Sequence, residues 1–179
     1  TLDYYVYSYN ALTCSGGPLY LTTGGFIGTQ STNSCGSMSG IIPVGPTAPA
    51  SPAGFPALSG VGGAFEYIDA NGLGGATILE LQTDYSTATE SLPFIFTSNA
   101  CITASKPLTI RPAAGVAAPF IYTSTNTTAT FIFDGGKYIT IDGRPGGIGT
   151  NKYISIQNTS SVAGSSGNSV LLKNESSDN

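Results

Sequence analysis

Histidine and tryptophan are absent from the 179 residues, and methionine occurs once. Without histidine there is no imidazole to activate a serine or cysteine nucleophile. No G-x-S-x-G turn and no phosphate-binding loop takes its place. A zinc site also lacks its common ligands, because Cys14, Cys35 and Cys101 stand far apart with no C-x-x-C spacing. Charge is scarce: Lys, Arg, Asp and Glu make up 9% of the chain, against about 25% in an ordinary soluble domain. Six basic residues and ten acidic ones give a net charge of −4. No basic patch is left for nucleic acid or anionic lipid, so neither is expected as a partner. No apolar run approaches the ~18–20 residues of a membrane helix, so membrane insertion is not expected. The opening TLDYYVYSYN has no basic and no apolar leader region, and no signal peptide is expected there.

Polarity comes instead from Ser, Thr, Asn and Gly, while hydrophobic residues at 40% suffice for a core. Low lysine content and three Asn-x-Ser/Thr sequons fit an extracellular or cell-surface chain. The sequons make Asn126, Asn158 and Asn174 glycosylation candidates. In that compartment Cys14 and Cys35 are the disulfide candidates, closing a loop worth about 3 kcal/mol of chain entropy. Spacing leaves open a pairing of Cys101 with either partner, and three reduced thiols.

Along the chain, three segments differ in texture. Residues 1–42 read as strands and hairpins. LDYYVYSYN alternates with period two, and PLYLTTGGFIG reads as a hairpin turning at Gly24-Gly25. Residues 43–60, PVGPTAPASPAGFPALSG, carry five prolines and read as a linker or wrapping segment. From 61 to 179 short β-branched runs recur: TILEL, LTIRP, TFIFDG, YITIDG, YISIQN and SVLLKN. Before them GGAFEYIDANGLGG is the one helical candidate, with Phe65 and Ile68 on one face and Gly72 as its stop. The intervals Ile141 to Ile156 and Ile156 to Leu172 are nearly equal, and Ile110 to Ile132 is longer. Unequal spacing of short strands with Gly, Asn, Asp or Pro at their ends predicts an all-β chain built as a parallel β-helix. An antiparallel sandwich is the competing arrangement.

Residues 58–160 resemble the opening of a group of secreted right-handed parallel β-helix proteins of Bacteroidetes that often end in a type IX secretion sorting domain. The phrases that carry the resemblance are FPALSGVGGAFEYIDANGLGGATILEL, LPFIF, LTIRPAAGV, FIFDGGKYITIDGRPGGIGT and ISIQNTS. The resemblance implies a right-handed β-helix, a short helix at 62–70 capping its N-terminal end, and a secreted or surface location. It also implies further coils after Asn179. It assigns no reaction.

Chemistry must then be sought in the carboxylates. Asp134, Lys137, Asp142 and Arg144 can be cast as a lyase or hydrolase cluster on a β-helix face. Their context argues otherwise, since each Asp directly precedes Gly, where its side chain caps a turn. Asp134, Gly135, Asp142, Gly143 and Pro145 are therefore read as turn formers, and no catalytic or metal-binding residue is assigned. Glu66 and Asp69 are expected to face solvent. Asp84 and Glu90 flank YSTAT, where a Ca²⁺ clip is the lesser alternative to a structural role. Tyr4, Tyr5, Val6, Tyr7 and Tyr9 form a strand with aromatics on both faces and are the assembly-strand candidates, joining either residues 19–30 of the same chain or a neighbouring subunit. Sugar stacking on these tyrosines is an alternative. The functional expectation is an extracellular structural or adhesive protein, a β-helix unit of a surface filament or large adhesin, with no cofactor. Its expected partners are further copies or other surface proteins. The alternative is a carbohydrate-active β-helix protein, enzyme or glycan-binding module, with polysaccharide as partner.

Overall fold

The structure, a computed structural model, describes residues 2–6, 9–10, 19–20, 26–30, 35–162 and 167–179. The chain falls into two compact units, Thr1–Ser34 and Cys35–Asn179. In the first, β1 (Leu2–Val6) pairs antiparallel with β4 (Phe26–Gln30), and β2 (Tyr9–Asn10) with β3 (Leu19–Tyr20). The expected hairpin across Gly24-Gly25 is thereby corrected. Its two arms pair with earlier strands instead of with each other, because period-two runs were already present at both 2–6 and 9–10.

The second unit is mostly strand. Four parallel strands lie in the order β11 (Ile139–Ile141), β8 (Leu108–Pro112), β6 (Thr77–Leu81), β5 (Gly40–Val44). Three more lie in the order β13 (Asn168–Lys173), β10 (Ala129–Asp134), β7 (Phe94–Thr97). β12 (Ile154–Asn158) pairs with β9 (Phe120–Ser124). Every one of these pairings is parallel. From β8 onward the chain visits the three sheets in strict rotation. Glu80 lies directly beside Arg111, 31 residues later. The near-equal intervals in the sequence therefore mark steps from one sheet to the next. The return from Ile110 on β8 to Ile141 on β11 passes through both other sheets, in three unequal steps.

Like residues meet in ladders because the pairing is in register. Ile42, Leu79 and Ile110 form one buried row, and Val44 and Leu81 another. Phe94 and Phe131 face each other at 5.0 Å between ring centres, as do Phe96 and Phe133 at 4.8 Å. Tyr122 packs edge-on to Phe94 and Phe131 at 5.5 and 5.2 Å. Each buried aliphatic or aromatic side chain in such a row contributes roughly 1.5–3 kcal/mol by removal from water.

The helical candidate is realised as α1 (Ala64–Asn71). It is short and stands by packing more than by propensity. Ala64 and Ile68 are buried, and Phe65 meets Phe94 and Phe96 edge-on at 5.1 and 5.4 Å. Gly72 ends it with φ +68°, its N–H donating to the Ile68 carbonyl at 2.7 Å. No helix among the described residues is long and apolar enough to cross a membrane.

Of the linker and the wrapping segment expected at 43–60, the described residues fit the wrapping segment. Its first residues belong to β5, where Pro43 is tolerated because β5 is an edge strand. Val44, Phe55 and Leu58 are fully buried, and the Phe55 N–H donates to the Pro43 carbonyl at 3.0 Å. Proline content marked this segment as non-helical; its three large apolar residues make it part of the core.

Candidate functional site

The two Asp-Gly corners hold their charged residues apart. After β11, the Asp142 carboxylate accepts from the Arg144 backbone N–H at 3.0 Å and from Nε and Nη2 of the same residue at 2.9 Å each. This fork from Arg144 pulls the Asp142 carboxyl below its ordinary value. A 3₁₀ turn over Pro145–Gly147 follows, with Gly146 at φ +63°. At the end of β10, Asp134 pairs with Lys173 Nζ at 2.9 Å and takes a further bond from Asn174 Nδ2. The Lys173 and Asn174 donors lower its carboxyl. Gly135 turns the chain with φ +75°, its N–H donating to the Lys173 carbonyl at 3.1 Å and to Ser176 Oγ at 3.0 Å. Asp134 and Asp142 each have their own cationic partner and share none. A pair of carboxylates working on one bond needs a common space between them. Gly143 continues the second corner, its carbonyl accepting from the Tyr153 N–H at 2.7 Å.

Asp84 and Glu90 fasten the proline-rich segment, a role that the sequence reading did not assign to them. Asp84 Oδ2 accepts from the Thr47 N–H at 3.0 Å and from Thr47 Oγ1 at 2.6 Å. The Glu90 carboxylate accepts from the Leu58 N–H at 2.8 Å, the Ser59 N–H at 2.7 Å and the Ser59 hydroxyl. Protein donors thus occupy the oxygens that a Ca²⁺ clip would use. The sequence signal was there in retrospect: two acidic residues follow a stretch whose backbone N–H groups have few strand partners. Glu80 and Arg111, directly opposite on β6 and β8, form a further ion pair at 2.9 Å. Among the described residues no three His, Cys, Asp or Glu side chains gather as a metal site. Glu66 and Asp69 are exposed.

The disulfide is Cys35–Cys101, with Cα atoms 5.5 Å apart. This corrects the pairing expected from spacing, and Cys14 lies outside the described residues. Loop length favoured the nearer cysteine. Parallel winding instead brings the start of the unit beside the turn after β7, against the end of α1. There the Gly36 N–H donates to the Asn71 carbonyl at 2.6 Å.

The assembly-strand candidates divide. Tyr4, Tyr5 and Val6 are in β1, opposite Gly28, Ile27 and Phe26 of the same chain. Tyr9 is in β2, opposite Tyr20, and Tyr7 lies outside the described residues.

The sequons differ in what their side chains do. Asn158 Nδ2 donates to the Asn126 and Asn168 carbonyls at 2.9 and 3.1 Å, while its Oδ1 accepts from the Ser160 N–H at 2.9 Å. Asn174 is tied to Asp134. Asn126 uses only its oxygen, which accepts from the Thr128 N–H at 2.8 Å.

One region stays open. β11, β12 and β13 each have a neighbour on one side only. In β13 the inward residues are less covered than those they stack on, whereas Ile139 of β11 is buried and its N–H donates to Asn179 Oδ1 at 2.9 Å. Phe131 and Phe133 are buried, whereas Val170 and Leu172, their partners in β13, are 39% and 57% exposed. Ile141, Ile154 and Ile156 line an open cleft of about 370 Å³ together with Asp142, Gly143, Arg144 and Lys152.

Comparison with known proteins adds no relative: no family model, no curated protein and no solved structure matches the chain.

Proposed function

We propose that the Cys35–Asn179 unit is a right-handed parallel β-helix capped by α1, and that the chain is a non-catalytic structural or adhesive module of an extracellular or cell-surface protein. The strict rotation of the chain through three parallel sheets supports the winding. The strong chirality of parallel crossovers supports its hand. The observation that carries the functional reading is that the charged Asp-Gly corners form no shared site: Asp134 pairs with Lys173 and Asp142 with Arg144. Glu80, Asp84, Glu90, Asp134 and Asp142 are committed to corners, to one ladder pair and to the proline-rich segment, a scaffold role. The proposed partners are further copies or other surface proteins.

Mass photometry and negative-stain electron microscopy of the oxidised protein test the reading. Oligomers or filaments are expected. A strictly monomeric protein that releases new sugar ends from polysaccharide would overturn it in favour of an enzyme.

A further inference from the structure

Three sequons of one chemical type sit at two corners of the same unit, yet their side chains are bound very differently. Both hydrogens of the Asn158 amide are spent on main-chain carbonyls, Asn126 O at 2.9 Å and Asn168 O at 3.1 Å. A substituent on that nitrogen removes at least one of these bonds and forces a bulky group into a part-buried corner. Close by, Thr130 Oγ1 links Ser124 Oγ at 2.8 Å to the Gln157 carbonyl at 2.7 Å. The Asn174 amide holds Asp134 beside the Lys173 ion pair, and Asn174 itself has φ +53°. Asn126 is the exception. Its Nδ2 has no partner among the described residues, while its Oδ1 accepts from the Thr128 N–H two residues on, as Asn158 Oδ1 does from the Ser160 N–H. That Asx-turn draws the third residue of the sequon back over the first. It also places a donor on the amide oxygen, which stabilises charge there as the nitrogen gives up its proton. Beside it an open cleft of about 460 Å³ is lined by Thr87, Ala88, Leu92, Thr123 and Thr125. This leaves room for a first sugar ring next to hydroxyl groups that can bond to it.

We propose that Asn126 is the N-glycan acceptor of the folded protein, and that Asn158 and Asn174 are structural corner residues that stay unmodified. The reaction joins Asn126 Nδ2 to the anomeric carbon of an oligosaccharide carried on a polyprenyl diphosphate. The amide nitrogen loses one proton to a base on the transferring enzyme. The sugar–oxygen bond breaks with its electron pair leaving on the diphosphate, and nothing is oxidised or reduced. The proposal rests on the extracellular reading above for its biological setting, since sugar donors of this kind act outside the cytosol.

The test uses the folded, disulfide-intact chain with a purified single-subunit oligosaccharyltransferase and its polyprenyl-diphosphate-linked oligosaccharide. Peptides are then mapped by mass spectrometry. A glycan mass on the Asn126 peptide alone is expected, and Asn126→Gln should remove it. Thr128→Ser makes all three sequons Asn-x-Ser and should leave the pattern unchanged. After reduction and denaturation in urea, Asn158 and Asn174 should become modified as well, which assigns the selectivity to the fold. Equal occupancy of the three sites in the folded chain overturns the proposal. So does an Asn126 left bare by the folded chain, whatever the denatured chain does. Reduced cysteines in protein from its native source would count against the extracellular reading and would leave this selectivity unaffected.

Discussion

A phenol buried at the centre of an aromatic stack needs a partner for its hydroxyl. Tyr85 and Tyr122 supply one another, with their oxygens 2.9 Å apart and both rings buried. Tyr85→Phe therefore leaves the Tyr122 hydroxyl without that partner in the core and should cost about 1–3 kcal/mol. Tyr122→Phe does the same to the Tyr85 hydroxyl and should cost a similar amount. The double Phe variant should cost less than the sum of the two, and urea unfolding of all three variants measures the coupling. Burial raises both phenols above their ordinary value, helped at Tyr85 by the neighbouring Tyr122. The folded chain thus keeps them protonated where the unfolded chain would ionise. Their contribution is complete below about pH 10 and is lost as pH rises beyond it. Urea midpoints taken between about pH 9 and about pH 11 should fall in the wild type and stay nearly level in the double Phe variant. Asp142 lies on the opposite limb, since Arg144 holds its carboxyl low. Its stabilisation is present above about pH 4 and fades as pH falls below that. Asp142→Asn keeps an oxygen for the Arg144 N–H and should change stability by no more than about 1 kcal/mol, because the pair is surface-exposed.

Among elements, position along the stack decides what a core residue is worth. Phe131 touches Phe94, Phe96 and Tyr122 from the middle strand of its sheet. Its replacement by Ala should cost about 3–5 kcal/mol. Ile110 and Ile141 occupy equivalent places on β8 and β11. Ile110 is buried beneath its neighbour, whereas Ile141 lines the open cleft. Ile110→Asp should therefore prevent folding, and Ile141→Asp should give a soluble, destabilised protein, a contrast that circular dichroism and thermal melts can read. Such a gradient could not be seen in the sequence, where YITIDG and LTIRP look alike. Periodicity and turn residues did reveal the short strands, the brief helix ending at Gly72 and the Asp-Gly corners, because those depend on near neighbours. What stayed hidden joins residues 31 to 66 positions apart. Glu90 reaching Leu58 and Ser59, Tyr85 meeting Tyr122 and Cys35 meeting Cys101 all join positions that only the winding brings together. The proline-rich segment misled for a related reason. Its backbone carries little strand signal, but Phe55 and Leu58 are held from a distance.

For the whole molecule, the Cys35–Cys101 bond closes a span of 66 residues. Constraining the unfolded chain over such a span is worth about 4 kcal/mol. Reduction with a thiol should lower the urea midpoint accordingly, and Cys35→Ser with Cys101→Ser should match the reduced protein. The same bond also sets where tension travels. Cys35 is the first residue of its unit, so a pull arriving through residue 34 reaches the sulfur bridge before it reaches β5. The force crosses to Cys101 and enters the body beyond β7. Strands β5, β6 and β7, the proline-rich segment and α1 all lie inside the shunted span and carry none of the strain along their backbone. Stretched by its two ends in an optical trap, the oxidised protein should yield a contour shorter than the reduced one by the hidden length, about 220 Å for 66 residues at full extension. A chain bridged this way keeps the residues inside the span folded under a load that peels an unbridged chain from its end.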